Sequence, residues 1–533
     1  MVKKRVFHGV LAAELGSVAR RRVIRSSMFL KDKRLASGGE DKFKARLVAD
    51  GSKQDKNLYD TLSSPTGSTT SILITAGIAA MEARKVMACD IGGAYLNADM
   101  APTGVVVHMR LDAIMTRMLV EIDPDFAQFV EKNGTSVVAL DKALYGCVES
   151  ANLWYMHLRG TLAAYGMIEN EYDACVFNMN DKTGKQLTVV VYVDDLFCSC
   201  ENQATLTELL DHLREVYKEV KCKQGDKLDY IGMTFDFRRQ GGVSVTMKEC
   251  VDDLLKGCGE VSSRATPATD SLFDVRETVK ATEEEKVWFH SNVAKMLYLA
   301  KRIRPECLVA VSFLSTRVHE CDHDDLAKLK RLLGYVQATR ERGDHIKIGG
   351  AVRVRCFIDA SYGVHTVSGK SHSGCAVIIG ERGPVYAKSG KQKIVTKSST
   401  EAELVALSDC VGQGILLRNF LVKQGYKMGP VVVYQDNMST LALVRRGRPG
   451  SERSRHINIR YFWLKEKVSD GEIELQHIRT KEMCANLLTK PVQGQQFVKE
   501  LEDLTGWEES VATVPSWEDS VPAAQRGVLT CGQ

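Results

Sequence analysis

The sequence holds 15 cysteines in 533 residues but no Cys-x-x-Cys pair. That absence argues against a zinc finger, and the scatter fits buried free thiols in a reducing compartment better than a disulfide framework. No apolar run approaches the roughly 18 residues that a membrane span needs. The opening Met1-Val-Lys-Lys-Arg-Val-Phe-His8 is basic but leads into no apolar core, so no secretory signal is expected. An intracellular protein away from membranes is the expectation. Internal repeats and low-complexity tracts are also lacking. Neither sign of charge dominates: the net charge is +5, with 26% charged and 44% hydrophobic residues, which is ordinary for a globular chain. The length allows about two to four domains, each with a full core.

What is present is charge placed unevenly. Residues 1–57 hold 15 Lys/Arg against 6 Asp/Glu, and a second basic cluster runs from Arg445 to Arg460. Such clusters suit a nucleic-acid backbone, or simply form solvated faces. The first ends in Lys42-Phe-Lys-Ala-Arg-Leu-Val-Ala-Asp50. A strand there would put Lys44 and Arg46 on one face, a clamp for a triphosphate.

The densest chemistry lies in Thr188–Cys200. An apolar strand runs into Tyr192-Val-Asp-Asp195 and a second leaves at once, so a two-residue hairpin turn presents Asp194 and Asp195. Adjacent carboxylates on an apolar hairpin repel unless a cation lies between them, and Mg²⁺ suits carboxylate oxygens. A solvated Asp-Asp turn has the same sequence. Upstream, a short strand from Val86 delivers Asp90, a cap or a metal ligand, followed by Gly92-Gly93. Three carboxylates at strand ends are what two-metal phosphoryl transfer needs.

Around these, periodicity predicts a strand over 136–140 and helices over 68–83, 153–165 and 206–220, the last capped by Asn202. A hairpin joins 228–237 to 242–247, and helices follow over 283–301, 306–318 and 325–340. His319-Glu-Cys-Asp-His323 has zinc-protease spacing but lies between two helical patterns, where Asp322 to Asp325 read as the cap of the next helix.

A change of texture near Gly349-Gly350 marks a further domain. Strands are expected over 352–359, 374–379, 383–388, 392–396, 431–436 and 472–477, with a helix opening at Ser398 and a last helix over 481–490. Asp359 and Asp436 end strands, and Glu401 and Glu403 begin the helix between them. Ser398-x-x-Glu401 and Thr400-x-x-Glu403 both fit a capping box, so one glutamate can be structural. The set still suits a metal-dependent nuclease. The acidic tail is expected to be weakly ordered past Trp507.

Taken in order, ten stretches resemble the reverse transcriptase and ribonuclease H region of copia-type (Pseudoviridae-like) retrotransposon polyproteins. They are Lys44-Ala-Arg-Leu-Val-Ala, Asp90-Ile-Gly-Gly-Ala-Tyr-Leu-Asn, Leu144-Tyr-Gly, Tyr192-Val-Asp-Asp, Tyr230-Ile-Gly-Met, Arg304-Pro-Glu, Ser371-His-Ser-Gly, Lys397-Ser-Ser-Thr-Glu-Ala-Glu, Asp436-Asn and Leu488-Thr-Lys. The resemblance implies an α+β fold: a right-hand polymerase (fingers and palm over 1–247, helical thumb and connection over 248–348), a ribonuclease H-like domain over 349–495 and a tail over 496–533. It implies RNA-directed DNA synthesis from an RNA template, a DNA primer and dNTPs. It also implies cleavage of the RNA–DNA hybrid, with two Mg²⁺ ions per active site.

Residue by residue, Asp90, Asp194 and Asp195 match the polymerase carboxylates, and Tyr95 the ring that crowds a ribose 2′-hydroxyl. Arg46, with Lys44 as companion, matches the finger cation on the triphosphate. Asp359, Glu403 and Asp436 match the nuclease carboxylates, Glu403 being preferred because it directly precedes Leu404. Two departures stand out. Ala485-Asn486 replaces a usual fourth carboxylate before Leu-x-Thr-Lys, and Cys147-Val-Glu149 replaces Leu-Lys-Gln. Nothing resembles a gag zinc knuckle, an aspartic protease or an integrase, so the chain is expected to cover only the end of such a polyprotein. Two alternatives remain: a remnant that only binds nucleic acid, and a polymerase whose ribonuclease H domain is structural.

Overall fold

A computed structural model describes residues 1–33, 42–276, 278–446 and 458–507. Four sheets are combined with helices, which is the α+β class, and the first two interleave along the chain. The first has the order Phe7–Val10, Ser136–Leu140, His108–Leu111, Ile24–Lys33, Lys42–Ala49. The second is an antiparallel sheet in the order Val220–Gln224, Lys85–Ile91, Asp195–Cys200, Gln186–Tyr192, Asp173–Asn180, Ile168–Asn170. A third sheet joins Lys227–Tyr230, Met233–Asp236, Val243–Thr246 and Asp344–Ile346. The last is mixed. Pro384–Lys391, Lys370–Ile379 and Val354–His365 are antiparallel, and Val431–Gln435 and Ile473–His477 continue in parallel.

The helix Thr69–Met81 is apolar on every side, as a fully enclosed helix must be. It starts where Ser68 Oγ accepts the Ser71 amide, and it packs against the second and third sheets and the strand Pro384–Lys391. The core around it is continuous, running from Ile72 and Phe197 through Phe235, Phe289 and Leu332 to Ile358 and Leu488. The opposite face of the second sheet packs on the helices Ser150–Ala164 and Gln203–Tyr217.

Several expectations need correction. The helix predicted to reach residue 220 stops at Tyr217, where Lys218 takes φ +62°. Val220–Gln224 becomes an edge strand beside Lys85–Ile91. The stretch 228–237 is two strands, because Ile231 and Gly232 (φ +45° and +79°) reverse the chain between them. Asp359 does not end its strand, which continues to His365. Residues 392–396 form no strand: Gln392 is buried, and its amide donates to Ser373 Oγ and to the Ala402 carbonyl. In place of a helix over 481–490 there are 3-10 turns at Thr480–Glu482 and Cys484–Leu488. The tail expected from residue 496 is first a helix, Gly494–Thr505, which buries Phe497, Leu501 and Leu504; residues 508–533 lie outside the described residues, as do 447–457 of the second basic cluster. The helix Ser399–Lys423 is long and apolar enough, by length and composition, to cross a membrane, so the expectation that no stretch reaches that length fails there; half of its most apolar window is buried within the protein.

Other readings agree with the structure. Asp322 caps the helix His323–Ala338 in a capping box with Asp325. The 14 described cysteines are free thiols, 12 of them buried.

Candidate active sites

Asp195 opens its strand facing two neighbours, Tyr192 across the hairpin and Asp90 across the adjacent strand. Asp194 sits in the turn beside Val193, whose φ of +59° is one that a β-branched residue rarely adopts. The strained turn is held from behind. Trp154 Nε1 donates to the Val193 carbonyl at 2.6 Å, the Ile91 amide to the Asp194 carbonyl at 3.0 Å, and the Tyr230 hydroxyl to the Asp195 carbonyl at 3.1 Å. Asp90 is exposed and the other two are half-buried. Burial, then Asp194 and Asp90, push the Asp195 carboxyl up to about 6.

A wall of side chains joins this hairpin to the first sheet. Tyr95 lies in the turn Ala94–Asn97, entered through Gly93 at φ +63°. Its ring centroid is 4.7 Å from that of Tyr145, and the Arg46 guanidinium lies 5.7 Å from the Tyr145 ring. Burial first, and then Asp194, raise both tyrosine hydroxyls. Tyr145 is anchored by its own backbone, since the Ala49 amide donates to its carbonyl at 2.8 Å. Gly146 makes that approach possible at φ +93°, because a Cβ there would overlap the Ala49 carbonyl oxygen. Lys44 lies in the same strand as Arg46; its side chain is outside the described residues. Glu149, where glutamine is usual, is buried and accepts from Gln54 Nε2 at 3.0 Å and from the Tyr59 hydroxyl at 3.0 Å.

The second site is tighter. Asp359, Glu403 and Asp436 bring ligand oxygens within 4.8 Å of one another, the one such trio of His, Cys, Asp or Glu among the described residues. Asp359 comes from the middle strand, Asp436 from the end of its parallel neighbour, and Glu403 from the first turns of Ser399–Lys423. Glu401 takes the capping role: its Oε2 accepts the Lys397 amide at 2.8 Å, and Ser398 Oγ accepts the Glu401 amide at 3.2 Å. Gln435 Nε2 donates to Glu403 at 3.1 Å. Burial, then Asp359 and Asp436, push Glu403 well above the usual carboxylate range.

The turn Cys484–Leu488 closes over the trio. Gly374, cross-strand from Asp359, makes room for it, since a Cβ would come within 2.7 Å of Leu488 and Thr489. Thr489 Oγ1 donates to Asp359 and Thr480 Oγ1 to Asp436, the latter at 2.9 Å. Lys490 Nζ approaches Asp359 at 3.2 Å and Asn486 Oδ1 at 3.0 Å. Hard oxygen donors, gathered at the cost of mutual repulsion with two of the three buried, fit a divalent cation such as Mg²⁺.

Sequence reasoning alone missed Tyr145, Trp154, Tyr230, Gln435 and Lys490 as parts of these sites. Tyr145, Tyr230 and Lys490 stood in the motifs only as landmarks. Nothing in the pattern around Trp154 or Gln435 marks them.

Residues 18–268 match the family model "Reverse transcriptase (RNA-dependent DNA polymerase)". Among curated relatives, the Retrovirus-related Pol polyprotein from transposon RE1 of Arabidopsis thaliana is 28% identical over 468 residues, 87% of this chain and 30% of the relative. That from transposon TNT 1-94 of Nicotiana tabacum is 25% identical over 466 residues, 86% of this chain and 33% of the relative. The chain thus spans about a third of the length of these polyproteins. A solved foamy viral protease-reverse transcriptase in complex with double-stranded DNA aligns with a TM-score of 0.49 and 11% identity, covering 90% of this chain and 68% of that one. A reverse transcriptase domain thus matches residues 18–268, and over most of its length the chain is similar to the Pol polyproteins of copia-type retrotransposons.

Proposed function

We propose that this chain copies an RNA template from a DNA primer with dNTPs, and that its C-terminal domain cleaves the RNA strand of the RNA–DNA hybrid. The observation that carries the polymerase reading is the apposition of Asp90, Asp194 and Asp195 beneath the wall Arg46–Tyr145–Tyr95. In this reading Arg46 binds the triphosphate of the incoming nucleotide. Tyr95 places its ring against the sugar and excludes a 2′-hydroxyl. Tyr145 lies between the two, its ring tilted against that of Tyr95, and fixes both. The three aspartates would hold two Mg²⁺ ions, which when bound supply charge neutralisation at the attacking 3′-hydroxyl and the leaving pyrophosphate. The test is primer extension on an RNA template with Mg²⁺: Asp194→Asn should fall to background, and extension unaffected by it would sink the assignment.

For the nuclease reading, the support is the trio Asp359, Glu403 and Asp436, the first two of them buried. Hydrolysis of a hybrid by the full chain should be lost in Asp359→Asn, while primer extension persists. One observation favours the alternative of a structural nuclease domain, namely Asn486 in place of a carboxylate. A full chain that extends primers but cleaves no hybrid would decide for that alternative, and cleavage that survives Asp359→Asn would remove the second metal site.

A further inference from the structure

The expectation of two ions at each site does not suit the second one equally well, and this inference rests on the nuclease reading above. Lys490 Nζ lies 3.3 Å from Asp359 Oδ1, 3.2 Å from Asp359 Oδ2 and 3.0 Å from Asn486 Oδ1. Asn486 stands where the resemblance puts a fourth carboxylate. The ammonium therefore sits between that position and Asp359.

The amide of Asn486 is aimed rather than accidental. Its Nδ2 donates to the Thr480 carbonyl at 2.8 Å and to Glu500 Oε1 at 2.9 Å. Two acceptors on that side fix the NH₂ there and turn Oδ1 toward Lys490. Glu500 is itself buried and held by Gln496 Nε2 at 2.7 Å. An aspartate at 486 would lose both donated bonds and oppose Glu500, so amide and lysine form one arrangement. With all three carboxylates ionised around a bound cation, they and one ammonium carry two negative charges, the charge of one divalent cation rather than two.

We propose that the ribonuclease H-like site binds one divalent cation through Asp359, Glu403 and Asp436, and that the Lys490 ammonium occupies the second cation's place between Asp359 and Asn486. Lys490 is then the group that would meet a phosphate oxygen of the substrate on that side, as a fixed donor.

Mn²⁺ counting tests this in the full chain carrying Asp90→Asn, Asp194→Asn and Asp195→Asn, which removes the polymerase carboxylates. Equilibrium dialysis should give one Mn²⁺ that is lost on adding Asp359→Asn, and low-temperature electron paramagnetic resonance should show an isolated ion. Two ions with an exchange-coupled signal would overturn the proposal but leave the nuclease reading intact. No ion dependent on Asp359 would overturn both. Lys490→Met, checked for folding by its melting curve, should tighten Mn²⁺ about tenfold or admit a second ion; unchanged count and affinity would overturn the role of Lys490.

Discussion

Uncharged groups decide where the palm carboxylates point. Val193 stays in its left-handed conformation because Trp154 Nε1 and the Tyr230 hydroxyl tie down the carbonyls on either side of Asp194. Trp154→Phe removes one buried bond, worth about 1 kcal/mol of stability, and frees the turn. Primer extension should drop about tenfold, the equivalent of about 1.4 kcal/mol in the barrier. Equal losses in melting and in rate across temperature would argue for a purely structural tryptophan. A second residue-scale prediction concerns acid. His365 Nε2 and His372 Nδ1 share a 2.9 Å hydrogen bond, His372 Nε2 meets Ser389 Oγ at 2.8 Å, and Phe273 and Phe313 enclose the rings. Burial holds His365 at about 4 and His372 at about 3. Both folded values lie below the ordinary 6.5, so the unfolded chain takes up protons that the native one refuses. Stability is therefore flat above pH 6.5 and falls as pH drops toward 4, by on the order of 2 kcal/mol per ring at pH 5. Denaturant melts at pH 7.5 and pH 5 should show that loss, reduced in His372→Gln.

At the scale of elements, what the sequence made legible were those whose signal is local. The hairpin around Asp194, the helix Thr69–Met81 and the cap at Ser398 follow from alternation, apolar length and capping chemistry, which need no distant partner. The strand Val220–Gln224 was not legible, because its alternation, Val-Lys-Cys-Lys, is only four residues long and abuts the helical pattern before it; pairing with Lys85–Ile91 makes it a strand. The helix Gly494–Thr505 was lost in a polar, acidic stretch, although Phe497, Leu501 and Leu504 recur at helical spacing. For the sites, acidic residues announced themselves, whereas Tyr145 and Lys490 act through partners distant in sequence, Arg46 and Asp359. Gly146 tests how tightly the first sheet is docked on the second. Gly146→Ala sets a Cβ against the Ala49 carbonyl at a positive φ, which should cost about 2–4 kcal/mol. It should also raise the KM for dNTP more than it lowers kcat, since Arg46 and Tyr145 move while the carboxylates stay. Unaltered nucleotide affinity in steady-state extension would mean that the wall is not a nucleotide contact.

Across the whole molecule, the regions that carry the two carboxylate sites share one interior. The helix Thr69–Met81, which backs the carboxylate hairpin, also packs on Pro384–Lys391 of the last sheet, and the same apolar cluster contains both Val190 and Ile358. Polar ties rim this shared core: the Tyr426 hydroxyl donates to Glu82 at 2.6 Å, Gln186 Nε2 to the Gln424 carbonyl at 2.8 Å, and Asn170 Nδ2 to the Phe420 carbonyl at 3.2 Å. Regions joined only by a linker would melt separately, whereas regions that bury apolar surface against each other must lose it together. Scanning calorimetry of the full chain should therefore show the two regions unfolding in one coupled transition. Tyr426→Phe leaves the Glu82 acceptor short of a partner and should lower that transition by about 1–2 kcal/mol, without splitting it. Removing residues 351–533 should do more, since it exposes the underside of the palm. The shortened chain should bind a hydrophobic dye and lose primer extension, although all three palm carboxylates remain. A shortened chain that extends primers like the full one would show that the polymerase region needs no support from the last sheet, and that the shared interior carries no function.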